Sequence, residues 1–207
     1  MFRPSFWLLL GLACAPLASA WELSGLMEFS TRPPTGMVVY LPEDQGRQGE
    51  QLLDQKNKAF LPEFLLIPPG AQMKIKNSDE VDHNVYANDR EAKVQFDIGL
   101  RPPGSTVSVP VDWNEGTLVK LSCSIHPNMR AWVLPVSSRY AQAFKIPSRA
   151  RSFSFSLKNL PEKYSKIRLL VPGYSEIEAS LPSAGELTIP LERKGRGKGT
   201  VYFRRGP

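Results

Sequence analysis

Short apolar runs recur about every ten residues along this chain, and nearly every gap between them holds Pro or Gly. With 19 Pro and 15 Gly among 207 residues, no apolar run is long enough or periodic enough to propagate a helix, so short strands joined by tight turns are expected. WELSGLMEFS alternates apolar and polar residues, and MVVYLP follows the turn residues TRPPTG, so the two read as an opening strand pair. AQMKIKNSD sets Met73 and Ile75 on one face against Lys74 and Lys76 on the other, the two-residue period of a strand covered on one side. FLLI, VQFDIGL, STVSVPVD, GTLVKLSCS and RAWVLPV continue the series, separated by PPG, RPPG and WNEG turns. The polar, glycine-punctuated stretch from Glu43 to Lys58 reads as a loop with one helical turn near Gln51 to Leu53.

This spacing predicts an all-β protein: a Greek-key β-sandwich followed by a smaller β-rich region. The character of the chain changes around Ser137 to Tyr140, after which RSFSFSLKNLP, KIRLLVPGYSEIEASLP and GELTIPLE form a second run of strands without His or Cys. The expected division is a leader at 1–20, a first domain at 21–137, an accessory β domain at 138–191 and a basic tail at 192–207. Within that tail GTVYFRR is a further strand candidate.

The leader carries Arg3 before an apolar core from Phe6 to Leu12 and ends in Ala18-Ser19-Ala20, a small-x-small cleavage pattern. Export to the periplasm as a soluble protein beginning at Trp21 is the expectation. No later stretch approaches the roughly 20 apolar residues of a membrane span. Cys14 lies inside the leader, so the mature chain keeps a single cysteine, Cys123. A lone thiol cannot form an internal disulfide, and left free it is a liability in an oxidising compartment.

Cys123 stands within seven residues of two other soft-metal donors, His126 and Met129, in LSCSIHPNMRAWV. Val119, Leu121 and Cys123 share parity, so the thiol faces inward at a strand end. The other histidine of the chain, His83, sits in the polar turn of KNSDEVDHNVYA, about forty residues upstream. One thiolate and two imidazoles, with a weak thioether, form a set that suits copper in both oxidation states. The residues therefore point to one mononuclear copper ion held by His83, Cys123 and His126, with Met129 as a further ligand. Two readings stand for Met129, axial ligand or packing side chain. Two also stand for Asn84, a group hydrogen-bonding across to the Cys123 loop or a plain turn residue.

Other chemistries fit poorly. A Cys-His hydrolase wants a third orienting group, structural zinc prefers more thiolates, and no phosphate-binding glycine loop or Ser-His-Asp arrangement is present. The protein is expected not to be an enzyme, and no catalytic residue is assigned. The net charge of +6 falls to +5 without Arg3, with much of it in ERKGRGKGTVYFRRGP. Such a run is read first as a solvated tail, and nothing resembles a nucleic-acid-binding module.

The blocks N-S-D…H-x-V-Y and C-x-I-H-x-x-M, at Asn77 to Tyr86 and Cys123 to Met129, resemble those of the cupredoxins. They look closest to the exported cupredoxin-like proteins often labelled methylamine utilization proteins. The resemblance covers about residues 21–137 and implies a Greek-key β-sandwich, with His83, Cys123 and His126 as equatorial copper ligands and Met129 as the axial one. Only two residues separate His126 from Met129, fewer than in the plastocyanin and azurin pattern, which leaves a backbone carbonyl or water as alternative axial groups. FSFSLKNLPEKYSKIRLLVPGYSEIEAS resembles the carboxypeptidase regulatory-like, transthyretin-type β domain, and the N-terminal strands are candidates to contribute to that second sheet. The expected function is electron transfer with a redox partner protein. The alternative is copper delivery or tolerance with a copper-exchange partner and no rapid electron transfer.

Overall fold

A computed structural model of the protein describes residues 20–49 and 51–207. The expected leader, including Cys14, lies outside the described residues except for Ala20, which opens the first strand. Among the described residues no segment is helical. The strands run β1 (Ala20–Phe29), β2 (Gly36–Tyr40), β3 (Leu52–Lys56), β4 (Ala59–Leu61), β5 (Phe64–Ile67) and β6 (Gln72–Asn77). Next come β7 (Tyr86–Asp89), β8 (Val94–Asp97), β9 (Thr106–Pro110), β10 (Val119–Ser122) and β11 (Arg130–Pro135). The last six are β12 (Gln142–Lys145), β13 (Ser152–Pro161), β14 (Lys166–Leu170), β15 (Ile177–Ser180), β16 (Glu186–Arg193) and β17 (Arg196–Gly206).

Two sandwiches result. The first stacks the sheet β5-β11-β10-β7-β8 against β4-β3-β6-β9, around a core that includes Leu53, Ile67, Met73, Ile75, Leu121 and Val133. Met73 and Ile75 of β6 are buried and Lys74 and Lys76 exposed, as the alternation predicts. The second stacks β13-β1-β17-β16 against β12-β2-β14-β15, around Trp21, Met27, Val39, Leu169, Val201 and Phe203.

The opening strands do not pair with each other. Instead β1 pairs with β13 and β17, and β2 with β12 and β14. All five residues of β2 are buried, so it needs cover on both faces and cannot serve as the outer arm of a hairpin. Met37 and Val39 enter the second core, while Val38 and Tyr40 join Phe64, Leu134, Val136 and Leu170 in a small cluster between the two sandwiches. The N-terminal strands thus contribute to the second pair of sheets, as the alternative reading of the sequence allows.

Two further expectations change. Glu43 to Lys58 is not all loop: β3 runs parallel to β6 and turns through Asn57 and Lys58, both with φ 53, into β4. A tight turn with two positive-φ residues usually announces itself with glycine, which this one lacks. The 192–207 segment is no solvated tail either. Most of it is β17, paired to β1 and β16, because Val201 and Phe203 alternate with Tyr202 and Arg204 and bury fully.

Between the sandwiches the chain is clamped at Asp44, whose side chain is inaccessible to solvent. Its carboxylate takes the Arg139 backbone N–H at 2.7 Å, Arg139 Nη2 at 2.7 Å and the Tyr164 hydroxyl at 3.1 Å. Burial alone would raise the Asp44 pKa, but the Arg139 side chain, its N–H and Tyr164 together hold it below the ordinary value.

Candidate metal centre

His83 owes its position to the end of β6. Asn77, 1% exposed, donates from Nδ2 to Val81 O and Arg101 O at 2.9 Å each, and accepts the Asp79 N–H at 3.0 Å. One amide thus shapes the whole turn before His83. His83 then exchanges backbone hydrogen bonds with Arg101, its N–H reaching Arg101 O at 3.1 Å and the Arg101 N–H returning at 2.7 Å. The imidazole has no exposed surface.

Its orientation is set by Asp79, which lies 2.9 Å from His83 Nε2. An ionised carboxylate only accepts, so Nε2 carries the proton and the Nδ1 lone pair is left for a ligand. Asp79 is in turn held by the Lys58 N–H at 2.7 Å and the Glu80 N–H at 3.0 Å. The Lys58 bond, followed by the His83 bond, brings its pKa down to about 2. The turn between β3 and β4 is therefore part of the support for His83.

Cys123 follows β10 and is 3% exposed, among the buried side chains that include Leu121 and Met129. The Met129 N–H reaches His126 O at 2.9 Å and closes the loop over Pro127 and Asn128. Asn84 ties the two ligand-bearing loops together. Its Oδ1 accepts the Ser124 N–H at 2.7 Å and hydroxyl at 2.9 Å, and its Nδ2 donates to Asp97 at 3.2 Å. The cross-loop reading of Asn84 holds.

The ligand atoms of His83, Cys123 and His126 all lie within 4.8 Å of one another. His83 Nδ1 and His126 Nδ1 are 2.9 Å apart, and Cys123 Sγ lies 3.8 Å from His126 Nδ1. A first-row ion with bonds of about 2.0–2.1 Å to nitrogen and about 2.3 Å to sulfur, in trigonal array, requires a sulfur–nitrogen separation of about 3.8 Å. The Cys123–His126 spacing meets that requirement, and the two imidazole nitrogens, 2.9 Å apart, need only part by about 0.6–0.7 Å. The donor set therefore fits a soft or borderline metal such as copper.

Of the sequence-predicted residues, three converge at one end of the first sandwich. Met129, 1% exposed, shares the buried cluster of Cys123. Sequence reasoning does not single out Asp79 or Lys58 as supports. Asp79 is visible in principle as a carboxylate four residues before a histidine; Lys58 acts through its backbone and leaves no side-chain signal.

A two-sheet sandwich with one histidine in the connection between β6 and β7 and a Cys-x-x-His loop between two paired strands is now in view. The first sandwich has a cupredoxin-like fold. Part of the chain is similar to several solved structures. A purple cupredoxin from Nitrosopumilus maritimus is 23% identical, over 42% of this chain and 99% of that one, with a TM-score of 0.36. A reduced, singly substituted amicyanin is 15% identical over 53% of this chain and 97% of its own, with a TM-score of 0.37. The Cu-containing nitrite reductase (NirK) from Thermus scotoductus SA-01 is 18% identical over 44% of this chain, which spans 23% of that enzyme, with a TM-score of 0.38. No family model and no curated protein matches the chain.

Proposed function

We propose that this chain is an exported, mononuclear copper protein that carries electrons through His83, Cys123 and His126. The observation that carries the reading is the convergence of two imidazole nitrogens and one thiol within 4.8 Å, with the His83 tautomer fixed from behind by Asp79. Bound copper would supply a one-electron couple. Everything else falls to the protein. Cys123 binds as thiolate, His83 is locked by Asp79, and the Asn84–Ser124 bonds hold the two loops at a constant separation. A donor set that barely moves keeps the reorganisation accompanying electron transfer small. Met129 is the axial ligand in this proposal.

His126 is the half-buried member of the set and so the electron's exit. Ile125, Val81 and Leu100, on the loops that carry or brace the ligands, are 47%, 39% and 59% exposed. An apolar rim of this kind suits brief docking by a redox partner protein. Among the described residues no helix is long and apolar enough to cross a membrane. We divide the mature protein into a copper sandwich over about residues 51–136 and a second sandwich built from the N-terminal strands and about residues 138–206, with export directed by residues 1–20.

Voltammetry of the copper-loaded protein tests the reading. A reversible one-electron wave that survives repeated cycling is expected. Loss of the metal to a Cu(I) chelator on the first reduction would move the protein to the delivery class, and absence of any wave would remove electron transfer altogether.

A further inference from the structure

The outer face of the β10–β11 hairpin carries a second feature. Lys120 pairs with Trp132 and Ser122 with Arg130 across the hairpin, while the intervening Leu121 and Ala131 are buried. Lys120, Arg130 and Trp132 therefore project together away from the first core. The second sandwich faces them across a cleft of about 430 Å³, and supplies Arg32, Tyr174 and Arg193. Four cations from four separate segments line this one concavity, between two aromatic rings.

None of the four is satisfied internally. Among the described residues no carboxylate approaches Arg32, Lys120, Arg130 or Arg193 within ion-pairing distance. The excess continues on one side, where an adjoining hollow that shares Arg193 is lined by Lys194, Arg196 and Lys198 but by no aromatic ring, and stops on the other. A larger neighbouring cleft, which shares Lys120, Trp132 and Tyr174, mixes Arg90 and Lys93 with Asp89, Glu91 and Glu176. The side chains of Arg32, Lys120, Arg130 and Arg193 are all exposed, so solvent moderates their mutual repulsion, but the walls of the cleft focus their combined field and raise the local concentration of an anion.

We infer that this cleft binds a small, multiply charged oxyanion ligand, a phosphate or polycarboxylate group, between the two sandwiches. Arg130 and Arg193 offer planar forks suited to two oxygens each, Lys120 and Arg32 complete the neutralisation, and Trp132 and Tyr174 wall the ligand's uncharged part. The site is complete only when both sandwiches are present, which gives the second module a part in ligand binding. The inference does not rest on copper.

The test is calorimetric titration of the copper-free protein with sodium pyrophosphate at fixed ionic strength. Saturable binding of one pyrophosphate per chain is expected, weakened at least tenfold in the Arg130→Gln/Arg193→Gln double variant and unchanged in an Arg149→Gln/Arg151→Gln control. Unchanged melting temperatures show that the variants fold. Should the first pair fail to fold, Arg32→Gln/Lys120→Gln must show the same loss. No saturable binding, or equal weakening in the control, overturns the inference. Binding to phosphatidylglycerol vesicles without binding to pyrophosphate also overturns it, and assigns the face to a membrane surface instead.

Discussion

Asp79 Oδ2 lies 2.9 Å from His83 Nε2 and 2.7 Å from the Lys58 N–H, so a single carboxylate oxygen joins the β3–β4 turn to the buried imidazole. Replacing Asp79 with Ala frees the ring to rotate and removes the preference for the Nδ1 lone pair. Copper affinity, measured by competition with a chelator, is expected to fall by about 10–100-fold. Asp79→Asn, which keeps an acceptor, should lose less. An unchanged affinity in Asp79→Ala would mean that packing alone orients His83.

Asn84 acts on the other loop. In Asn84→Ala the Ser124 N–H and hydroxyl lose their shared acceptor, and the exposed backbone there turns to water instead. Copper-free stability should fall by only about 1 kcal/mol in denaturant unfolding. The rate at which Cu(I) leaves the protein should rise much more than stability falls. A large loss of stability with an unchanged exit rate would make Asn84 a purely structural residue.

Phe203 lies fully buried in β17, in contact distance of the Phe155 ring at a centroid separation of 6.1 Å. Phe203→Ala is expected to cost about 3–5 kcal/mol of stability, read by denaturant unfolding. Full stability would return residues 192–207 to the status of a tail.

Acid should loosen the joint between the sandwiches. The folded-state pKa of Asp44 lies below its ordinary value, so its network stabilises the protein above about pH 4 and loses that contribution as pH falls further, through the folded-state value. Asp44→Asn should lower stability at neutral pH by about 2 kcal/mol. It should also flatten the acid limb of the stability–pH curve relative to the parent. Parallel curves would exclude Asp44 as a source of the acid sensitivity.

The chain discloses its fold and its donor set for different reasons. Strands such as β6, with Met73 and Ile75 opposed to Lys74 and Lys76, bury one face only, and that asymmetry is written in the residue order. The convergence of His83 on Cys123 and His126 is equally plain, since few other residue types bind soft metals. What stays hidden depends on long-range pairing. β3, the parallel partner of β6, shows only Leu53 as a large buried apolar residue, and β2, buried on both faces, gives no period of two. The return of β17 to lie beside β1 joins residues 174 positions apart, such as Glu28 and Tyr202. No local pattern specifies such a partner. Lys58 contributes only a main-chain N–H, which every residue but proline possesses.

The central claim is that Cys123 binds copper together with His83 and His126. The direct measurement is a visible absorption titration of the protein, residues 21–207, with Cu(II), beside Cys123→Ser and His126→Ala. We predict an intense thiolate-to-copper charge-transfer band that saturates at one equivalent, is abolished in Cys123→Ser and is weakened or shifted in His126→Ala. A titration with no such band, or a band that survives in Cys123→Ser, would contradict the account.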